Sequence, residues 1–127
     1  MAGSVEISVH EWNTPQGRHL QIQDSICCGR HALRLSGELD IASAPDLAGA
    51  IVRICTSSTH AITLDLSKLT FIDSTGLAAI ISVGRKCEQL ACEFRLIPGP
   101  PAVQRVFELT GLHDKLSFAP AAPASTT

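Results

Sequence analysis

The sequence has no apolar run approaching the ~18 residues needed to span a bilayer, so no membrane-crossing helix is expected. It has no cationic excess. Ten Lys and Arg stand against twelve Asp and Glu, for a formal charge of −2, which leaves no electrostatic footprint for nucleic acid. It has no glycine-rich phosphate loop of either standard type; Gly37-Glu38-Leu39-Asp40 carries one glycine. There is no Gly-x-Ser-x-Gly elbow, because Ser74 follows Ile72-Asp73. No histidine is placed to serve Ser74 as a base: His10, His19, His31, His60 and His113 fall on expected edges and turns, as solvated or capping groups. A small hydrolase or nucleotide-binding enzyme is therefore the weakest reading. The segment Met1 to Trp12 has neither a basic head nor an apolar run, so no secretory signal is visible and a cytoplasmic location is expected.

The cysteines Cys27, Cys28, Cys55, Cys87 and Cys92 are odd in number and lack metal-type spacing. Neither a disulfide scaffold nor a zinc site is expected. Cys27 and Cys28, adjacent in an expected turn, read as two reduced, semi-exposed thiols in preference to a redox pair. Cys55 and Cys87 fall on expected helices as small core fillers.

What is present is a compact α/β pattern. With 45 % hydrophobic and 17 % charged residues, the 127-residue chain fits one folded domain and argues against disorder. Its organising stretch is Ala61 to Gly84. Ile62, Leu64 and Leu66 alternate with Thr63 and Asp65, a strand signal. Leu77, Ile80, Ile81 and Gly84 then fall on one helical face. Asp73-Ser74-Thr75-Gly76 sits where that helix begins, with Asp73 as its expected N-cap. Two readings compete there. In one, Asp73, Ser74 and Thr75 only start a helix. In the other, the small residues Ser74, Thr75, Gly76, Ala78 and Ala79 let another protein's backbone approach, and a phosphate on Ser74 adds roughly −1.5 to −2 charges beside Asp73. Asp40, Asp65 and Asp73 offer carboxylates, but Asp65 lies on the strand, and two acids near a hydroxyl can orient it or meet a partner's Mg²⁺; no resident metal or cofactor is expected.

The rest of the chain alternates. Val5, Ile7 and Val9 suggest an edge strand or arm before a turn at 13–17. His19 to Gln23 is a weak strand, Asp24 to Gly29 a turn or the end of a hairpin, and Ala32 to Ser36 a clearer strand. Ser43 as N-cap and Pro45 in the first turn open a helix carrying Leu47, Ala50, Ile51 and Ile54. A strand at Ala61–Leu66, the helix Ser74–Gln89 and a strand at Glu93–Ile97 follow. The next helix starts at Pro101 or Ala102 and ends at Gly111 as its C′ glycine. Lys115 to Phe118 offers a last edge strand. Strands alternating with helices demand crossovers and a largely parallel sheet.

Three motifs carry a family resemblance. Leu64 to Leu77 (LDLSKLTFIDSTGL) resembles the signature of STAS domains, specifically bacterial anti-sigma-factor antagonists. Leu35 to Asp40 (LSGELD) resembles their first motif, and Pro101 to Leu112 (PAVQRVFELTGL) their last helix and its exit. The resemblance covers about residues 19–118, in the right order and spacing. It implies the STAS fold: a mixed, mostly parallel sheet of four to five strands with helices mainly on one face. It divides the chain into an N-terminal extension or edge strand (1–17), a STAS domain (18–119) and a disordered tail (120–127). It also implies that the unphosphorylated chain binds an anti-sigma factor with serine-kinase activity and frees the sigma factor. That kinase would phosphorylate Ser74, a phosphatase would reset the switch, and Asp40 would stand beside Ser74 in a surface with Asp73, Thr75, Gly76, Ala78 and Ala79. The chain would be a substrate and not an enzyme. An alternative is a stand-alone STAS subunit of a membrane transport complex. Pro98-Gly99-Pro100-Pro101 is longer and stiffer than the family's loop, residues 1–17 have no counterpart, and the cysteines lie outside the family pattern.

Overall fold

Alternation builds the sheet. Leu20, Ile22 and Asp24 of the first strand and His31, Leu33 and Leu35 of the second are all buried, with polar or exposed residues between them. The computed structural model describes residues 20–118. In chain order its elements are β1 (Leu20–Cys27), β2 (Arg30–Leu39), α1 (Ala44–Ile54), β3 (Ala61–Ile72), α2 (Ser74–Gln89), β4 (Glu93–Ile97) and α3 (Pro101–Leu109). β1 and β2 form an antiparallel hairpin, and β3 and β4 add in parallel, in the order β1-β2-β3-β4. Parallel neighbours need crossovers, which α1 supplies between β2 and β3, and α2 between β3 and β4. The α/β class and the mixed, mostly parallel sheet expected from the sequence are both present.

One core joins the layers. Leu47, Ala50, Ile51 and Ile54 of α1 and Leu77, Ile80, Val83 and Cys87 of α2 pack with Leu33, Leu35, Leu64 and Leu66 of the sheet. Each large apolar side chain buried there contributes roughly 1.5–3 kcal/mol relative to exposure. The opposite sheet face carries Gln23, Ser25, Arg34 and Asp65 around a shallow hollow, and Arg34 Nε donates to Asp65 Oδ2 at 3.4 Å. Asp65 thus lies on the strand, as read from the sequence.

The segment Asp24 to Gly29 is the end of a hairpin, the second of its two readings: Asp24 to Cys27 pair across it with Leu33 to Arg30. Three local expectations are corrected. Asp24 tolerates burial because His31 Nδ1 lies 3.0 Å from its Oδ1 and Oδ2, so His31 is neither solvated nor a cap. β3 continues past Leu66 to Ile72 because its register with β2 shifts twice, between Arg34 and Ser36 and between Gly37 and Glu38. Such irregularities re-aim side chains, and Leu69 and Ile72 reach the core although the alternation breaks at Ser67-Lys68. Lys115 to Phe118 forms no strand. It makes one parallel bridge between Leu96 and Phe118, with the Leu96 N–H donating to the Ser117 carbonyl at 2.9 Å on the far side of β4. Phe118 is held there edge-on against Phe107, ring centres 5.1 Å apart.

Other expectations hold. Gly111, one residue past the end cap Thr110, has φ of +76°, the left-handed geometry of a C′ glycine. Cys87 and Cys92 are buried and Cys55 half-buried. Burial, with Cys92 beside it, pushes the Cys87 thiol up to about 12. The strand or arm expected within 1–17, His10, His19 and the tail expected at 120–127 lie outside the described residues.

Candidate functional site

Two chain segments meet at the end of the sheet where β2 and β3 finish. One is the loop Asp40–Ser43 after β2; the other is the first turn of α2 after β3. Asp73 joins them. Its Oδ1 accepts the N–H of Gly76 at 2.8 Å, the N-cap bond expected from the sequence. Its Oδ2 accepts the N–H of Ile41 at 3.1 Å. The Asp73 N–H donates in turn to the Leu39 carbonyl at 3.2 Å. A single carboxylate thus satisfies an orphan donor of the helix and fixes the neighbouring loop. It also places negative charge at the positive end of the helix dipole.

Asp40 shapes the loop from within. Its Oδ1 accepts the N–H groups of Ala42 and Ser43, each at 3.0 Å, and the Ser43 hydroxyl at 3.1 Å. Such Asx turns let a short acid replace backbone partners. Ser43 stands at the N-cap position of α1, as expected, but its hydroxyl caps nothing on that helix. It is buried, donating to the Glu38 carbonyl at 2.8 Å and accepting the Asp40 N–H at 3.0 Å. Ser43 therefore serves the loop's shape. Pro45 opens α1 from the first turn, as read.

Ser74 is exposed on the first turn of α2, next to the cap that Asp73 supplies. Thr75 is half-buried, Ala78 exposed and Ala79 half-buried. Gly76 departs from the surface role expected of it. It is buried, and a Cβ there would lie 2.3 Å from the Leu39 carbonyl oxygen. The small residue is used inward, to bring α2 against β2.

Thr75, Ala78 and Ala79 also line a groove of about 420 Å³ between α1 and α2, with Ile41, Val52 and Lys86 among its walls. Ile41 is 72 % and Val52 65 % exposed. Neither was singled out from the sequence. The available signals were an isoleucine inside a polar loop and a valine off the Leu47–Ile54 stripe. The structure thus joins Asp40 to Asp73 through Ile41, and Asp73 to Ser74 through the chain, with Thr75, Ala78 and Ala79 along the adjoining groove. Asp65 is on the other sheet face. Among the described residues no group of three or more His, Cys, Asp or Glu is placed to hold a metal ion.

Asp73→Ala is expected to cost roughly 0.5–2 kcal/mol through the lost cap, read as a lower urea midpoint. An unchanged midpoint would show that the carboxylate does not cap α2.

A family model for the STAS domain matches residues 19–123. An anti-sigma-B factor antagonist of Staphylococcus epidermidis is 26 % identical over 84 residues, which are 66 % of this chain and 78 % of that protein. An anti-sigma factor antagonist from Mycobacterium paratuberculosis superposes with a TM-score of 0.72 at 28 % identity, over 86 % of this chain and 91 % of that one. The anti-sigma factor antagonist SpoIIAA of Bacillus, in its unphosphorylated form, gives a TM-score of 0.65 over 78 % of this chain and 88 % of that one; at 24 % identity the likeness speaks to the fold alone.

Proposed function

The chain belongs to the STAS-domain family, and from that premise we propose that it is an anti-sigma-factor antagonist switched off by phosphorylation of Ser74. The unmodified chain binds an anti-sigma factor through the Asp40–Ser43 loop, the first turn of α2 and the adjoining groove, and so releases a sigma factor. The anti-sigma factor is itself a serine kinase. It transfers the γ-phosphoryl group of ATP to Ser74 Oγ, whose proton is lost as the new P–O bond forms and ADP leaves. A phosphatase restores the hydroxyl. The chain is a regulatory binding protein and its partner's substrate, working in the cytoplasm.

The observation that carries this reading is the division of labour at the start of α2. Asp73 makes the cap and holds Ile41, while the exposed Ser74 stands beside it. Phosphate on Ser74 therefore leaves the cap in place, and the helix N-terminus tolerates the added charge. A partner seated on Ile41 and the alanines does not. It meets roughly −1.5 to −2 charges next to Asp73, on a surface it had desolvated. The small side chains of Ala78 and Ala79 suit close backbone approach, and the exposed Ile41 gives that contact apolar area.

The test is capture with the full chain, addition of ATP, and mass spectrometry of Ser74. A captured anti-sigma factor and one phosphate on Ser74 would support the switch. A captured permease or transport ATPase subunit, with Ser74 unmodified, would move the chain to the transport class. Ser74→Ala is expected to bind the anti-sigma factor within about twofold of the unmodified chain and to accept no phosphate. Ser74→Glu is expected to bind at least roughly 5-fold more weakly, since even an uncharged polar group buried without a partner costs about 1–3 kcal/mol and a charged one more. Unchanged affinity of Ser74→Glu in a titration would sink the electrostatic mechanism.

A further inference from the structure

We propose that Cys27 and Cys28, at the tip of the β1–β2 hairpin, form a dithiol site for a trivalent arsenical. Cys27 ends β1, and Cys28 and Gly29 make the two-residue turn into β2. Cys28 has φ of +54° and Gly29 of +78°. Positive φ at both turn positions is the pattern that favours Asn, Asp or Gly at the first of them. Cysteine has no such advantage there and pays a steric cost in the left-handed region. Turn chemistry therefore does not account for Cys28.

The spacing of the two thiols does suggest a use. Cys27 Sγ and Cys28 Sγ are 3.8 Å apart, the first on the half-buried end of β1 and the second on the exposed turn. Two bonds of about 2.3 Å to one soft atom, opened by about 100–110°, hold their sulfurs roughly 3.5–3.8 Å apart. A disulfide needs about 2.05 Å. The free pair thus stands at chelating distance and far from bonding distance.

The number of ligands selects the class. With no third His, Cys, Asp or Glu converging among the described residues, the pair does not complete the four-ligand shell that zinc prefers. A monosubstituted trivalent arsenic has two valences left to fill. The protons agree with this choice. The hydrogen bond that Cys27 donates to Cys28 raises the pKa of Cys27, whereas a divalent metal must displace the thiol protons. An arsenous oxide carries them off as water: R–As=O and two S–H groups give R–As(S)₂ and H₂O. Two As–S bonds form, the As=O and both S–H bonds break, and arsenic stays trivalent, so no oxidant enters.

The site is separate from the Ser74 patch. The hairpin tip lies where β3 begins, with Arg30 opposite Ala61, and Ser74 follows the far end of that strand. An occupied tip leaves the patch clear, and the inference stands apart from the proposed function.

The experiment treats the reduced full chain with equimolar phenylarsine oxide and reads the intact mass. One phenylarsenic adduct is expected, resistant to a monothiol wash, removed by 2,3-dimercaptopropanol and mapped to the peptide holding Cys27 and Cys28. Cys27→Ser and Cys28→Ser are each expected to lose at least tenfold in affinity, with circular dichroism confirming the fold; if one variant does not fold, the other decides. Cys87→Ser, which changes a buried thiol, is expected to keep the adduct. No adduct, an adduct on the buried cysteines, an adduct retained by the folded single variants, or a chain already oxidised across Cys27–Cys28 would each overturn the proposal.

Discussion

Replacing Gly76 by alanine is expected to lower the unfolding free energy by about 3 kcal/mol, at the upper end of typical overpacking costs. The added Cβ would lie 2.3 Å from the Leu39 carbonyl oxygen and 2.9 Å from Leu39 Cγ. The first of these is a backbone atom of a strand in the sheet and cannot rotate aside. Leu39 is itself fully buried, so β2 and α2 must separate. The sign makes the result diagnostic, because Gly→Ala within a helix normally gains roughly 0.5–1 kcal/mol. Gly49 provides the control. It lies in α1, and a Cβ added there would meet nothing within 4 Å, so Gly49→Ala is expected to be neutral or stabilising. Urea denaturation of both variants decides the matter; a Gly76→Ala midpoint equal to that of the unmodified chain would refute the close-packing argument. The displaced helix start would also carry Asp73 away from Ile41, so on the proposed function binding to the partner should weaken with stability.

The second large effect lies at the other end of the hairpin. Asp24 is 3 % and His31 8 % exposed, and His31 Nδ1 faces both carboxylate oxygens at 3.0 Å. Both side chains stand on the same sheet face as Leu20, Ile22, Leu33 and Leu35. His31→Ala strands a carboxylate in the core and is expected to cost about 3–5 kcal/mol. Replacing both members by apolar residues of similar volume, Asp24→Leu with His31→Leu, should recover most of that loss, since a buried pair often contributes little net stability. Denaturant unfolding of the single and double variants tests the idea. A loss under about 1 kcal/mol for His31→Ala would mean that water reaches the carboxylate and that the pair is not a core element.

The same two sites show what could be read from the sequence. The start of α2 was legible because its cause is local: Asp73 caps the N–H of Gly76, three residues on, and the apolar stripe of the helix follows at once. The crossover pattern was legible because periods of two and of about 3.6 alternate along the chain. The burial of Asp24 was not legible, since its justification, His31, lies across a turn and looks like a surface residue in isolation. The extension of β3 depended on register shifts against β2 that repeat in no local pattern. Gly76 looked like part of a small-residue surface because nothing nearby in sequence announces Leu39 as its neighbour. Ile41 escaped notice for a related reason: its role depends on Asp73, which holds its backbone from another segment.

The segment after α3 has a consequence for self-association. β4 is short, and its outer side would present unpaired backbone groups, the usual template for adding a foreign strand. The Ser117 carbonyl occupies the Leu96 N–H there, and Phe118 is pinned by Phe107. The charged residues Glu93 and Arg95 stand on the same strand, paired at 2.8 Å, and charge on an edge further discourages stacking. A single hydrogen bond, an aromatic anchor and a charge pair thus guard this border of the sheet against edge-to-edge aggregation.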